Sequence, residues 1–315
     1  MSRPPEFELI STYFGRGYPD SPDVIVPNGD DCSVIAVPAG YQLAQSIDTQ
    51  VEDIHFPAAA PASLIAGRAL RCAASDLAAM GAAPQGFHLA LTLPNSDSYW
   101  LEGFACGLRD AAQTLNLPLL GGDTTRGNSL VITVAVQGLV PEGAAITRGG
   151  AKPGDDIWVS GVIGASALAL STVLDTPHKD DTSTAPYWHP QIQTALGQGL
   201  CGLATAALDI SDGLLQDAGH IARASGVKLI LTDSDIPTAV RREHPDWQRC
   251  LSGGDDYQLV FTAPTDARAE IERLSQTLGL KHCRRIGAVT DGQGVVLQDA
   301  TGRDITPEQS GYSHF

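Results

Sequence analysis

The chain has 315 residues, 43% of them hydrophobic and 18% charged, with 33 Gly and 20 Pro. That is the composition of a globular protein with room for two domains, and it excludes a disordered chain, a collagen and a long coiled coil. Acidic residues outnumber Lys and Arg by 36 to 20, for a formal net charge of −16, which disfavours a general nucleic-acid binder and a protein of anionic membrane surfaces.

No apolar run reaches the roughly eighteen residues a bilayer span needs. The start, Met-Ser-Arg-Pro-Pro-Glu-Phe-Glu-Leu-Ile, carries two acids and no signal-peptide core, so a cytoplasmic protein is expected. Six cysteines (Cys32, Cys72, Cys106, Cys201, Cys250, Cys283) form no Cys-x-x-Cys pair. They are expected to be small buried hydrophobes in a reducing compartment, not a zinc site or a disulfide framework.

In chain order, residues 24–26, 32–37 and 41–47 read as short strands, and 63–80 as a helix with Leu64, Ile65, Ala69, Cys72, Ala73 and Leu77 on an apolar stripe. Residues 87–93 are strand-like, 97–115 form a second helix capped by Ser96 or Asp97, and 117–120 and 130–140 are strands. The turn cluster Arg148-Gly-Gly-Ala-Lys-Pro-Gly-Asp-Asp marks a domain boundary, giving domains 1–148 and 149–315. Beyond it come a strand at 157–160, a helix at 165–174, a polar loop at 178–190, helical patterns at 190–206 and 214–225, and a strand at 227–232. A strand at 257–262, a helix at 265–278 and strands at 283–289 and 295–297 complete the chain. Alternating strands and helices in both halves predict an α/β or α+β sandwich in each.

Aspartates recur beside glycines and at strand ends: Gly29-Asp30-Asp31, Ile47-Asp48-Thr49, Ser75-Asp76-Leu77, Gly121-Gly122-Asp123, Asp209-Ile210-Ser211-Asp212-Gly213 and Gly254-Asp255-Asp256. Each alone is an ordinary turn. Six such sites in one acidic chain suggest converging carboxylates, which hard divalent cations bound through oxygen would neutralise. Asp76 falls on the apolar face of its helix, where a charge needs a partner; a metal, a pairing with Arg68 or Arg71, and an outward turn all remain open. No Gly-Lys pair exists, so the P-loop pattern is absent, and only four lysines occur. Phosphates would then fall to metals and to arginine, with Arg126 and Arg148 as candidates, while Gly121, Gly122 and Gly127 would let backbone amides approach. Gly-x-Ser-x-Gly and Gly-x-Gly-x-x-Gly are both missing, which weakens a hydrolase and a dinucleotide-binding reading. His55, close to Asp48 and Glu52-Asp53, is either structural or functional.

Taken together, eight runs resemble the thiamine-monophosphate kinases, of the aminoimidazole-ribonucleotide-synthetase-like superfamily. They are Gly29-Asp-Asp-Cys-Ser-Val, the stretches 46–56, 75–82 and 121–127, Thr147-Arg-Gly-Gly-Ala-Lys-Pro-Gly-Asp155, Ile210-Ser-Asp-Gly-Leu-Leu-Gln-Asp217, Ser252-Gly-Gly-Asp-Asp-Tyr257 and Gly311-Tyr-Ser-His-Phe315. The resemblance implies two α/β domains, the N-terminal one joining a dimeric β-barrel and the C-terminal one an α/β sandwich. It implies direct in-line transfer of the γ-phosphoryl group of ATP to thiamine monophosphate, with several Mg²⁺ ions and no protein nucleophile. By position it assigns Asp30, Asp48, Asp76, Asp123, Asp209 and Asp212 to metals, Gly122, Asp123, Arg148 and Ser211 to ATP, and His55, Asp255 and Tyr312 to thiamine monophosphate. The chain departs from the family's pattern at Ile47, where the family usually has Thr, at Asp255, where it commonly has Glu, and at Ala105, where it often has Tyr. Aminoimidazole ribonucleotide synthetase, another ATP-using relative, and a non-catalytic metal or nucleotide sensor are the competing readings.

Overall fold

The computed structural model describes residues 6–312; the first five residues and the Ser-His-Phe end of the last motif lie outside them. Its elements run α1 (Glu6–Tyr13), β1 (Val24–Val26), β2 (Val34–Ile35), β3 (Tyr41–Val51), α2 (Ala62–Ala79), β4 (Ala83–Leu93), α3 (Ser98–Leu115), β5 (Leu119–Arg126) and β6 (Val131–Pro141). The second half holds β7 (Asp156–Val159), α4 (Ala165–Asp175), α5 (Ala185–Trp188), α6 (Thr194–Leu200), β8 (Ala206–Asp209), α7 (Leu214–Ser225) and β9 (Lys228–Thr232). It ends with α8 (Trp247–Ser252), β10 (Leu259–Ala263), α9 (Arg268–Thr277), β11 (Arg284–Thr290) and β12 (Gly294–Gln298). No helix among the described residues is long and apolar enough to cross a membrane.

The first half builds a four-stranded sheet in the order β3-β6-β4-β5. Strand alternation decides its faces. Ile132, Val134 and Val136 of β6 and Phe87, Leu89 and Leu91 of β4 are buried on one side, where α2 and α3 pack. The other side is open, and Tyr41, Leu43 and Ile47 are exposed on it. Among the described residues of one chain this sheet has two free edges and closes no barrel.

The second half is a mixed six-stranded sheet, β12-β9-β11-β7-β10-β8, whose neighbours are antiparallel except β12 and β9. Both of its faces are covered. Leu215, Ile221 and Leu251 of α7 and α8 share a core with Ile157 and Val159, whereas Leu196 and Ile271 of α6 and α9 share one with Trp158 and Phe261.

Helix α2 joins the halves. Its alanine-rich sequence is buried on nearly every side, as expected of a helix apolar all round, and it touches β3, β6 and α3 on one flank and α5, α6 and β8 on the other.

Several expectations are corrected. The polar loop at 178–190 contains α5, whose Tyr187 and Trp188 are fully buried in the first half's core beside Val173. The helical pattern at 190–206 is a helix only over Thr194–Leu200, and β8 follows it. The Gly121-Gly122-Asp123 segment is no loop but part of β5, paired with β4. A Cβ at Gly122 would meet the Leu89 carbonyl oxygen at 2.0 Å, so glycine is there for backbone approach between strands. Asp97, not Ser96, caps α3, accepting the Trp100 amide at 2.8 Å. Of the six cysteines only Cys72 and Cys250 are buried, Cys32 and Cys106 are exposed, and all six are free thiols.

Candidate active site

A cleft of about 860 Å³ opens between the halves, walled by β3, the turn after it, one face of α2, α5, the ends of β8 and α8, and Tyr312. Three carboxylates converge at one end. On β3, Ser46 and Asp48 face α2, whereas Ile47 faces the open side and is 69% exposed. The Ser46 hydroxyl donates to Asp76 Oδ2. Arg68 and Arg71, offered as partners for Asp76, bind elsewhere: Arg71 donates to the Gly67 carbonyl, and Arg68 to Tyr187 and Asp255.

The electrostatics of this end are one-sided. Burial, and then the Asp76 charge, push the Asp209 carboxyl up to about 7. The same two causes, in the same order, raise Asp48. Burial raises Asp76, against the Ser46 hydroxyl and the Arg148 charge. Arg148 itself is exposed, and its field reaches Asp76, Asp209 and His220. Buried Asp209 and half-buried Asp48, both raised by the Asp76 charge, form with Asp76 the hard-oxygen donor set a divalent magnesium-type cation takes. The residues present fit such an ion.

Just beyond, the strand end carrying Asp209 turns into α7. Asp217 Oδ2 accepts the amides of Asp212 (3.0 Å) and Gly213 (3.1 Å), and burial pushes its carboxyl up to about 7. Ligand atoms of Asp212, Asp217 and His220 lie within 4.8 Å of one another. The Gly253–Tyr257 turn packs directly on this segment: the Asp255 amide donates to the Ser211 carbonyl (2.9 Å) and the Tyr257 amide to the Ile210 carbonyl (2.8 Å). A Cβ at Gly254 would meet the Ser211 carbonyl oxygen at 2.0 Å. Tyr312 closes over the same place, its amide donating to the Asp212 carbonyl (3.0 Å) while Gln216 Nε2 donates to its carbonyl (2.8 Å).

Beside this segment the cleft is lined by His55, Asp255 and a group that sequence reasoning missed, Arg68. His55 Nδ1 accepts the Val51 amide at 3.1 Å, so a neutral imidazole carries its proton on Nε2. Its carbonyl accepts the Tyr187 hydroxyl at 2.6 Å. Asp255 pairs with Arg68 at 2.5 Å, and Arg68 lies against the rings of Tyr187 and Tyr257. The signal for Arg68 was present: it stands four and eight residues before Cys72 and Asp76, on the same apolar face of α2. Tyr187-Trp188, two aromatics in a polar stretch, was the other.

Asp48, Asp76, Asp209, Ser211, Asp212, His55, Asp255 and Tyr312 are thus walls of one cleft. Asp30, Gly122 and Asp123 lie outside its walls and are exposed. Asp48, Val134, Leu89 and Gly122 stand in one row across the sheet, so three strand spacings, about 14 Å, separate β3 from the glycine edge.

Residues 29–140 match the family model "AIR synthase related protein, N-terminal domain", and residues 152–300 match its C-terminal counterpart. Thiamine-monophosphate kinase of Escherichia coli (strain K12) is 41% identical over 323 residues, covering 98% of each chain. The chain belongs to the thiamine-monophosphate kinase family. Among solved structures, thiamine-monophosphate kinase from Stenotrophomonas maltophilia K279a superposes with a TM-score of 0.80 at 37% identity, covering 88% of this chain and 91% of that one. AaThiL complexed with AMPPCP and TMP superposes with a TM-score of 0.76 at 25% identity, covering 98% and 96%. The two-part α/β architecture is therefore that of the thiamine-monophosphate kinase family.

Proposed function

We propose that this chain transfers the γ-phosphoryl group of ATP to the phosphate of thiamine monophosphate, giving thiamine diphosphate and ADP. One observation carries the reading: a single cleft is lined by the Asp48, Asp76 and Asp209 carboxylates together with His55, Asp255 and the aromatic rings of Tyr187, Tyr257 and Tyr312. AaThiL complexed with AMPPCP and TMP supports it, as a relative that takes a nucleotide and the acceptor together.

Asp48, Asp76, Asp209 and Asp212, with Asp30 and Asp123 from the first half, are the residues that would hold Mg²⁺. When bound, the ions would neutralise phosphate charge and favour in-line displacement. Ser211 and the Gly122-Asp123 edge receive ATP, with Arg148 supplying a fixed positive charge near the carboxylates. His55, Asp255 and Tyr312 receive thiamine monophosphate, whose cationic ring suits a carboxylate and an aromatic face. No protein nucleophile is needed. Burial pushes the Cys72 thiol in the cleft wall up to about 11, which keeps it a poor one.

We infer a division at 148/149, supported by the two sheets lying wholly on either side of it. We also infer a homodimer formed through the open face of the N-terminal sheet, where two copies would complete a barrel; the exposed Tyr41, Leu43 and Ile47 support it. A cytoplasmic site goes with an ATP-dependent reaction and free thiols.

The test mixes purified protein, ATP, Mg²⁺ and thiamine monophosphate, and resolves the products by chromatography. Thiamine diphosphate and ADP should appear in equal amounts. ATP consumed without thiamine diphosphate would overturn the acceptor, and no ADP at all would favour the sensor. In the same assay Gly254→Ala should lose roughly a hundredfold in kcat/KM, because its Cβ must push the Asp255 turn away from Ser211 by an ångström or so. Wild-type kinetics in that variant would show that the turn's seat does not matter.

A further inference from the structure

The middle of the cleft holds a buried charge that the phosphoryl chemistry does not call for. Arg68 is 3% exposed. Its guanidinium carbon sits 3.8 Å from the centre of the Tyr187 ring and 5.7 Å from that of Tyr257. Nη1 donates to the Tyr187 carbonyl at 2.6 Å and Nη2 to Asp255 Oδ1 at 2.5 Å, while Nε is buried with no acceptor among the described residues. A desolvated guanidinium is costly, and an apolar residue would fill the space at least as stably. The backbone around it is strained as well: Asp255 and Tyr257 have φ of +71° and +50°, which few non-glycine residues adopt and which cluster at sites where geometry matters.

The result is a fixed acceptor. Arg68 holds Oδ1 of Asp255 inward, leaving Oδ2 on a side chain 30% exposed at the cleft. Through Tyr187, whose ring it stacks on and whose hydroxyl binds the His55 carbonyl, the same guanidinium also fixes the turn after β3. Asp76 stands eight residues further along the same face of α2, about 12 Å away, while the Arg68 charge also reaches Asp48 on the facing strand.

We propose that Arg68 is a positioning residue for the acceptor substrate, orienting the Asp255 carboxylate, and His55 through Tyr187, toward the cationic, amine-bearing rings of thiamine monophosphate. The inference rests on the function proposed above. Arg68 acts through Asp255.

Steady-state kinetics on the full-length protein test it. Arg68→Met should raise the KM for thiamine monophosphate about 10- to 100-fold, the range of a lost hydrogen bond to a charged group, while the KM for ATP stays within about twofold. Arg68→Lys, which keeps the charge and one bond to Asp255, should restore the KM to within roughly three- to tenfold of wild type. The double variant Arg68→Met/Asp255→Asn should be no worse than Asp255→Asn alone, since residues acting as one unit are not additive. Equal rises in both KM values, an unchanged KM for thiamine monophosphate, or additive losses would each overturn the inference while leaving the kinase reading intact. A wild-type protein that makes no thiamine diphosphate would overturn that reading, and the inference with it. Should Arg68→Met fail to fold, Tyr187→Phe decides in its place. It keeps the ring and carbonyl against Arg68 but drops the His55 bond, and should raise only the KM for thiamine monophosphate.

Discussion

Asp76→Asn should fold normally and lose about a thousandfold or more in kcat. The side chain keeps its size and can still accept from Ser46, so the packing of α2 against β3 should be unchanged. What disappears is one negative charge at the centre of the cluster, the one whose field raises both Asp48 and Asp209. If the cluster exists to hold divalent cations against phosphate oxygens, losing that charge removes several kcal/mol of transition-state stabilisation, which is on the order of a thousandfold in rate. Steady-state production of thiamine diphosphate at saturating Mg²⁺ measures it. A variant within tenfold of wild type would mean that Asp76 is a satisfied helix residue and no ligand. Because the like-charge repulsion is relieved, the variant's melting temperature without metal at pH 8 should equal or exceed that of wild type.

The second large effect is a coupling between pH, Mg²⁺ and stability. Asp209 holds its proton to about pH 7 in the fold but, like any exposed aspartate, only to about pH 4 when unfolded. Between those values the folded chain binds more protons than the unfolded one, so without metal Asp209 lowers stability progressively as pH rises from about 4 to 7. Above pH 7 the full penalty stands, on the order of 2–4 kcal/mol, or roughly 5 °C in melting temperature. Asp48 and Asp76, also raised, act in the same direction. Asp156, held below the usual carboxylate range by Arg268 and Arg285 against the cost of burial, acts in the opposite one. The informative quantity is therefore the difference between wild type and Asp209→Asn. Melting curves in a chelator from pH 5 to 8 should show wild type losing several degrees relative to the variant. Millimolar Mg²⁺ should return them at pH 8 and do little at pH 5, because an ion that binds the ionised cluster stabilises only the folded state. Parallel pH slopes for the two proteins would show that Asp209 carries no raised carboxyl in the fold.

What the sequence made legible was local. Helices α2, α3 and α7 declared themselves by apolar periodicity, and the aspartates by standing beside glycines at the ends of strands, where loops gather function. What stayed hidden depended on distance along the chain. Arg68 could be seen as a charge on an apolar face, but its partners lie at 187, 255 and 257, and nothing local connects them. Tyr187 sat in a stretch of Asp, Thr, Ser and Pro that reads as loop, because α5 has only four residues and is held by burial, not propensity. Strand β8 went unread, only its first residue falling inside the helical pattern at 190–206, because Ala-Ala-Leu-Asp favours neither period. Gly121 and Gly122 marked a turn by propensity, yet they serve a strand whose neighbour comes too close for a side chain.

Ala169, Val173, Tyr187 and Trp188 complete the core that α2, α3 and the first sheet begin. This places a constraint on synthesis. A ribosome that has delivered the last strand of the first sheet, at residue 141, has not yet delivered the four residues that seal its interior. Those arrive from about thirty to nearly fifty residues later, after the first strand of the second sheet has already emerged. The first half must therefore wait, incompletely closed, for a piece of chain that belongs by order to its neighbour, and the two halves mature as one event instead of in turn. Any circular permutation or fusion cut between 141 and 188 would separate a core from its last layer.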